Sequence, residues 1–222
     1  MSQGVKPTRQ ARSRETRDRL VRALDASLRD RAFEEITIAD LAKTAGLSVG
    51  AVYRRFENKD AFIPVIFELY RERLESFMVG EGRLEIEPAD GLRVALHRAC
   101  DVAWRFLSRH GYLVRAAHLH ARLRPDLVGD DWQDLLAQAS ESAGQLITLF
   151  GDEVRRNDRE EAAQMFTYLM NTLPIERALY PQEGAAIVLT ISEARFVAAI
   201  ADTLYGYMTT ADLQADEPKP PA

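Results

Sequence analysis

With 222 residues, 46% of them hydrophobic and 28% charged, the chain can build one large or two small domains and has an ordinary globular make-up. No apolar run approaches the roughly eighteen residues of a membrane span, and the basic, polar N-terminus lacks the apolar stretch of a secretory signal. The lone Cys100 excludes an internal disulfide and suits a reducing, cytoplasmic setting. The net charge of −5 is unevenly spread: residues 1–60 carry +4 and the remainder −9, which places a small basic module on a larger acidic body.

The first twelve residues are polar, contain Gly4 and Pro7, and are expected to form a disordered arm. A first helix is expected over about 13–31, with Leu20, Leu24 and Leu28 one turn apart. Arg9, Arg12, Arg14 and Arg17 precede or open it. Cations at a helix start oppose its dipole, so these four are expected to serve a polyanion rather than the fold; a solvated charged tail is the plainer alternative.

Thr37 with Asp40 three residues on is an acidic form of the capping box, and Ile38, Leu41 and Ala42 give the helix it starts one apolar face. Ala45-Gly46-Leu47 then reads as a tight helix-helix turn, because Gly46 can take a positive φ. Ser48 is an N-cap for a second short helix over about Val49 to Phe56, with Val52 and Phe56 facing inward. Its other face holds Val49, Gly50, Ala51, Tyr53, Arg54 and Arg55. Small residues at the start allow a close approach to base edges, and Tyr and Arg, with Lys59 beyond, reach for phosphates.

A longer helix is expected from Lys59 to about Met78, with Pro64 inside its first two turns and a wide apolar arc that includes Phe62, Ile66, Phe67, Leu69 and Tyr70. Further helices are expected over about 90–109, ending before Gly111; onward to about Leu123; from Pro125 to about Arg156; over 159–179, stopped by Pro181 and Gly184; and from about Ala185 to Met208. The tail after Thr210 is expected to be disordered. No period-2 run is long enough for a strand. The fold class is therefore all-α.

In the last helix Ile187, Ile191, Ala194, Ala198, Ala201 and Tyr205 share one face, while Leu189, Phe196, Ile200 and Leu204 cover another. A helix apolar on two sides must bury both. One side is expected to pack on its own subunit. The other, with Met165 and Leu169 of the preceding helix, is expected to form a homodimer interface.

Phe67, Tyr70, Leu96, Trp104, Phe106, Trp132, Phe166 and Met170, with Arg115 or His118 as polar anchors, are candidates to line a cavity for a small molecule. Core packing is the commoner fate of any one of them. No catalytic residue, metal ligand or cofactor is expected. His97, Cys100 and Trp104 share a helical face but have no third partner, and His118 and His120 lie roughly 200° apart around a helix. No zinc spacing and no glycine-rich phosphate loop is present.

The segment from Arg31-Ala32-Phe33 through Thr37, Ala42, Gly46, the frame Gly50-x-x-Tyr53-x-x-Phe56 and Asn58-Lys59-Asp60 resembles the N-terminal DNA-binding domain of the tetracycline-repressor (TetR) family. The match covers roughly the first quarter of the chain; beyond residue 65 only length and helical content agree. The resemblance implies a three-helix helix-turn-helix domain over 13–58 and a helical effector-binding and dimerisation domain over 59–210, before the tail at 211–222. It also implies a ligand-responsive regulator, most often a repressor, that binds a pseudo-palindromic double-stranded DNA operator as a homodimer. Carried over residue by residue, Thr37, Ser48, Tyr53, Arg55 and Lys59 would touch phosphates, and Val49, Gly50 and Ala51 would stand at base-reading positions. Where Ala51 stands, relatives often have Thr or Ser, so a hydrogen bond is lost. Thymine-methyl contacts, and Arg54 or Arg55 on a guanine, would have to carry base choice. An enzyme would need a polar cluster that the body lacks. An adaptor without DNA binding would not need Tyr53, Arg55 and Lys59.

Overall fold

The computed structural model describes residues 9–179 and 189–212, and among them every regular element is helical. Residues 1–8 of the expected arm, the stop signals Pro181 and Gly184, the interface candidate Ile187 and most of the expected tail lie outside the described residues.

The helices are α1 (Arg9–Asp30), α2 (Ile38–Ala45), α3 (Val49–Tyr53), α4 (Ile63–Val79), α5 (Leu92–Leu123), α6 (Pro125–Val128), α7 (Asp131–Leu149), α8 (Arg159–Leu179) and α9 (Glu193–Thr209). The chain forms two compact units, one of residues 9–77 with 110–132 and the other of 78–109 with 133–179 and 189–212.

Several boundaries differ from the sequence expectation. α1 starts at Arg9, so residues 9–12 are helical rather than arm. The break expected before Gly111 falls at His110, whose φ of −120° and ψ of 16° are non-helical, so α5 is two helical segments that meet at a kink there. The single helix expected from Pro125 is broken at Gly129, whose φ of 62° and ψ of −151° no helix accommodates, and α7 stops at Leu149. Asp158, at the break that the sequence places before the 159–179 helix, caps α8, its Oδ1 accepting from the backbone N–H of Glu160 and Glu161 at 2.9 Å each. The last helix begins at Glu193, not Ala185, because the Ser192 side chain caps it from Arg195 N–H. Leu189 and Ile191 therefore precede α9.

In the first unit Leu20, Leu24, Ile36, Leu41, Phe62, Ile66 and Leu113 are fully buried. Within this apolar packing α1 carries a carboxylate, Asp25, only 9% exposed. It accepts from Tyr112 Oη at 2.7 Å, Arg29 Nη2 at 3.3 Å and Arg73 Nη2 at 3.4 Å. Burial alone would raise its pKa. The Tyr112 hydrogen bond and the guanidinium groups of Arg29 and Arg73 outweigh that and hold it below the usual carboxylate value.

The second unit is built on Leu92, Leu96, Ala143, Ile147, Ala162, Phe196, Ile200, Ala201 and Leu204. Its polar ties run between helix ends. Glu153 accepts from Leu92 N–H at 2.8 Å, Arg156 Nε donates to Tyr207 O at 2.7 Å, and Arg93 Nη2 pairs with Asp202 Oδ1 at 2.8 Å.

Candidate nucleic-acid interface

α2 is closed at both ends by its own sequence. Thr37 Oγ1 accepts from Asp40 N–H at 3.1 Å, and Asp40 Oδ2 accepts from Thr37 N–H at 2.9 Å, a reciprocal capping box. These bonds from Thr37, with Arg31 nearby, keep the Asp40 carboxyl below its ordinary pKa. At the other end Gly46 is left-handed (φ 62°, ψ 42°), and Leu47 N–H reaches back to Ala42 O at 2.8 Å, a Schellman closure. The positive φ is what requires glycine here; a Cβ would sit 2.9 Å from Arg19 Nη2, the tip of a long side chain that can shift.

Arg19 is a residue the sequence reading missed. Its Nε donates to Ala45 O at 3.0 Å and its Nη2 to Gly46 O at 2.8 Å, so it satisfies the last carbonyls of α2 from α1. Arg17 pairs with Glu68, which corrects the reading that gave the opening arginines no structural partner. Arg12 and Arg14 are exposed.

Ser48 Oγ accepts from Ala51 N–H at 3.2 Å and starts α3. Val52 is fully buried and anchors the inner face; Phe56 beyond it stacks on Phe62 with centroids 3.9 Å apart. The outer face is left to solvent: Val49 is 42% exposed and Tyr53 54%, and Gly50 and Arg54 are exposed too. A Cβ on Gly50 would meet nothing within 4 Å. Ala51 is half-buried.

The remaining DNA-contact candidates are partly occupied within the unit. Arg55 Nη1 donates to Ser13 Oγ at 3.2 Å while its Nε is buried without a partner among the described residues. Lys59 Nζ donates to Glu34 O at 2.8 Å and lies 4.9 Å over the Phe33 ring. Thr37 and Ser48 spend their hydroxyls on caps, yet both residues remain exposed. His120, almost wholly buried, has Nε2 3.3 Å from Glu34 Oε1 and its ring edge-on to Phe33; burial pushes its pKa down.

The ten residues expected around one cavity divide between the two units. In the first, Phe67, Tyr70, His118 and Trp132 come together: Trp132 is 4.6 Å from the His118 ring and 5.8 Å from Phe67, and Tyr70 is 6.2 Å from His118. Burial pushes the Tyr70 hydroxyl up to about 12. Burial, then the Arg122 charge, pushes His118 down to about 4. Arg115 is not an anchor of this cluster, because its side of α5 faces solvent. In the second unit Leu96 is fully buried core, Phe106 is buried, and Trp104, Phe166 and Met170 pack partly buried on that same core or its rim. Trp104 Nε1 donates to Glu193 Oε2 at 3.2 Å.

His97 and Cys100 do not form a pair: His97 Nε2 lies 3.1 Å from Asp202 Oδ1, and the Cys100 thiol, pushed up to about 12 by burial, donates to Met170 Sδ at 3.6 Å. Among the described residues no cluster of His, Cys, Asp and Glu could hold a metal, and no helix is long and apolar enough to cross a membrane.

Of the interface candidates, Met165 is exposed and Leu169 half-buried on α8; Leu173 on the same helix is 37% exposed, and Tyr168, which the sequence reading passed over, is 63% exposed. On α9 Ala194 is exposed, while Ala198 and Tyr205 are half-buried. Ala201 is a correction. It is fully buried in the subunit's own core and has no surface to offer a partner. Ile191 is half-buried before α9, its carbonyl accepting from Arg177 at 2.9 Å.

Residues 20–64 match the model of the bacterial regulatory proteins of the tetR family. No curated protein matches the chain. Among solved structures, a TetR-like transcriptional regulator from Rhodococcus sp. RHA1 is 19% identical, with 90% of this chain and 97% of that one covered and a TM-score of 0.58. A bacterial regulatory protein in the tetR family from Rhodococcus RHA1 is 16% identical over 90% and 98%, with a TM-score of 0.60. The TetR family transcriptional regulator PfmR from Thermus thermophilus is 18% identical over 85% and 98%, with a TM-score of 0.59. At these identities the likeness is one of fold. Residues 20–64 thus match the tetR family of bacterial regulatory proteins, in a chain whose fold is like that of TetR-family transcriptional regulators.

Proposed function

We propose that the protein is a homodimeric, ligand-responsive repressor whose two α3 helices enter successive major grooves of a pseudo-palindromic operator. One observation carries this reading. A helix with a fully buried inner residue leaves Val49, Gly50, Tyr53 and Arg54 uncovered beside a basic module. Among the described residues, nothing in the packing of the first unit uses that face. A groove-reading helix needs it.

The exposed Met165, Tyr168 and Leu173 on α8 support a two-fold interface, and two copies explain how so short a reading helix suffices. The ring cluster of Phe67, Tyr70, His118 and Trp132 supports an apolar or aromatic effector. Such a molecule would act by favouring the conformer that does not fit the operator, and a few kcal/mol of differential affinity is enough.

The reading is tested with labelled duplex DNA from beside the protein's own gene. The dimer should bind it with an affinity that falls steeply with salt, as counterions leave the phosphates. Tyr53→Ala should weaken binding to all bound sequences about equally, by about tenfold, and leave the salt slope unchanged, because a phenol hydrogen-bonds a phosphate without neutralising it. A loss confined to one base pair would refute the phosphate role of Tyr53. A monomeric mass at micromolar concentration in light scattering would refute the dimer.

A further inference from the structure

We propose that Asp25 and Tyr112 form a latch that positions the reading helix and so sets the half-site spacing the dimer accepts. This rests on the DNA-binding reading above and adds to it the residues that hold the reading head in register.

Asp25 is a poor choice for packing alone. Its neighbours on the inner side of α1, Leu20, Leu24 and Leu28, are all buried and apolar. A carboxylate among them is tolerated only when directional partners hold it. It has three, from separate places in the first unit: Tyr112 Oη on α5 at 2.7 Å, Arg73 Nη2 on α4 at 3.4 Å, and Arg29 Nη2 one turn on at 3.3 Å. The Arg29 guanidinium also lies 4.6 Å over the Tyr112 ring. Apolar contacts tolerate sliding, whereas charge-assisted hydrogen bonds do not. The latch therefore fixes α1 against α4 and the C-terminal half of α5.

α1 passes that position on. Six residues earlier, about 9 Å along the same helix, Arg19 donates to Ala45 O at 3.0 Å and Gly46 O at 2.8 Å. Those carbonyls belong to the closing turn of α2, and two residues later Ser48 caps α3. One rigid helix thus carries a directional clamp at the Asp25 end and another at the turn that aims α3. A small change at Tyr112 or Arg73 becomes a change in the pose of α3. Because two reading helices must meet two half-sites about one helical turn apart, that pose is read as spacing.

The test uses the full-length chain with Tyr112→Phe, which removes only the hydroxyl, and Asp25→Asn, which removes the charge at nearly constant shape. Duplexes are selected from a library that varies half-site spacing. The selected half-site sequence should be the same for all three proteins, because α3 itself is unchanged. The variants should accept a broader range of spacings and bind the optimal spacing about tenfold more weakly, within the usual range of coupling between sites. Amide hydrogen exchange supplies a readout without DNA: residues 45–53 should exchange several-fold faster in Tyr112→Phe while α8 is unchanged. Unaltered exchange at 45–53, or equal loosening of all segments, would overturn the latch as a positioning device. A wild-type protein that selects no duplex would overturn the DNA-binding reading and leave exchange to judge the latch alone.

Discussion

Replacing Gly50 by leucine should abolish specific DNA binding while making the free protein more stable. The two effects have opposite signs because the glycine has no internal justification. Its φ is not positive, it is exposed, and a Cβ there would touch nothing. Inside a helix a glycine costs about 1 kcal/mol relative to alanine, and leucine recovers most of that. The unfolding midpoint should therefore rise. In the major groove the same side chain would stand between the α3 backbone and the base edges. The expected loss is at least a hundredfold, or about 3 kcal/mol. Gly50→Ala should keep the gain in stability and lose less affinity. Thermal unfolding and a duplex-binding titration on the same preparations check both signs. Leucine at position 50 that binds DNA as tightly as glycine would mean that this face does not approach the bases.

Acid should weaken the fold well before carboxylates titrate, and His118 should be the main cause. Its pKa is pushed down to about 4 in the folded chain, first by burial and then by Arg122, against an ordinary value near 6.5. The unfolded chain therefore takes up a proton at this site at higher pH than the folded one does. The stabilising difference is intact above about 6.5, declines as pH falls through the window to about 4, and amounts to about 3 kcal/mol across it. Burial shifts His120 in the same direction, which adds to the slope. Asp25 has a lowered carboxyl pKa, so its contribution is lost only in stronger acid. Urea midpoints measured between pH 7 and pH 4.5 should fall steeply for the wild type and much less for His118→Leu, which keeps an apolar group against Tyr70 and Trp132. Equal slopes for the two proteins would show that the proton goes elsewhere.

Local chemistry made the helix-turn-helix legible. Thr37 with Asp40, Gly46 after Ala45, and Ser48 before Val49 each fix a helix end within a few residues, so the sequence states the geometry directly. α8 was legible for the same reason, since Asp158 caps it. The misread boundaries depend on tertiary context. The helix expected to run on from Pro125 is cut at Gly129, which takes a positive φ that nothing in its neighbours in sequence announces. Ala194 and Ala201 share a helical face by spacing, yet the first is exposed and the second lies in the core, because burial follows what packs at each level. Arg17 looked like a free cation and Arg19 was passed over because their partners, Glu68 and the Gly46 turn, lie 51 and 27 residues away in sequence. The candidates for one cavity fall in two separate units, because periodicity cannot tell which unit a ring joins.

The most direct test of the central claim is chemical-interference mapping of the wild-type protein on a duplex selected from a random library. The exposed face of α3 predicts two symmetric half-sites about one helical turn apart, where methylation of major-groove guanine N7 blocks binding, and loss of that interference pattern in Gly50→Leu. Binding that ignores sequence, or interference confined to the minor groove and unaffected by changes at Gly50 and Tyr53, would contradict the account.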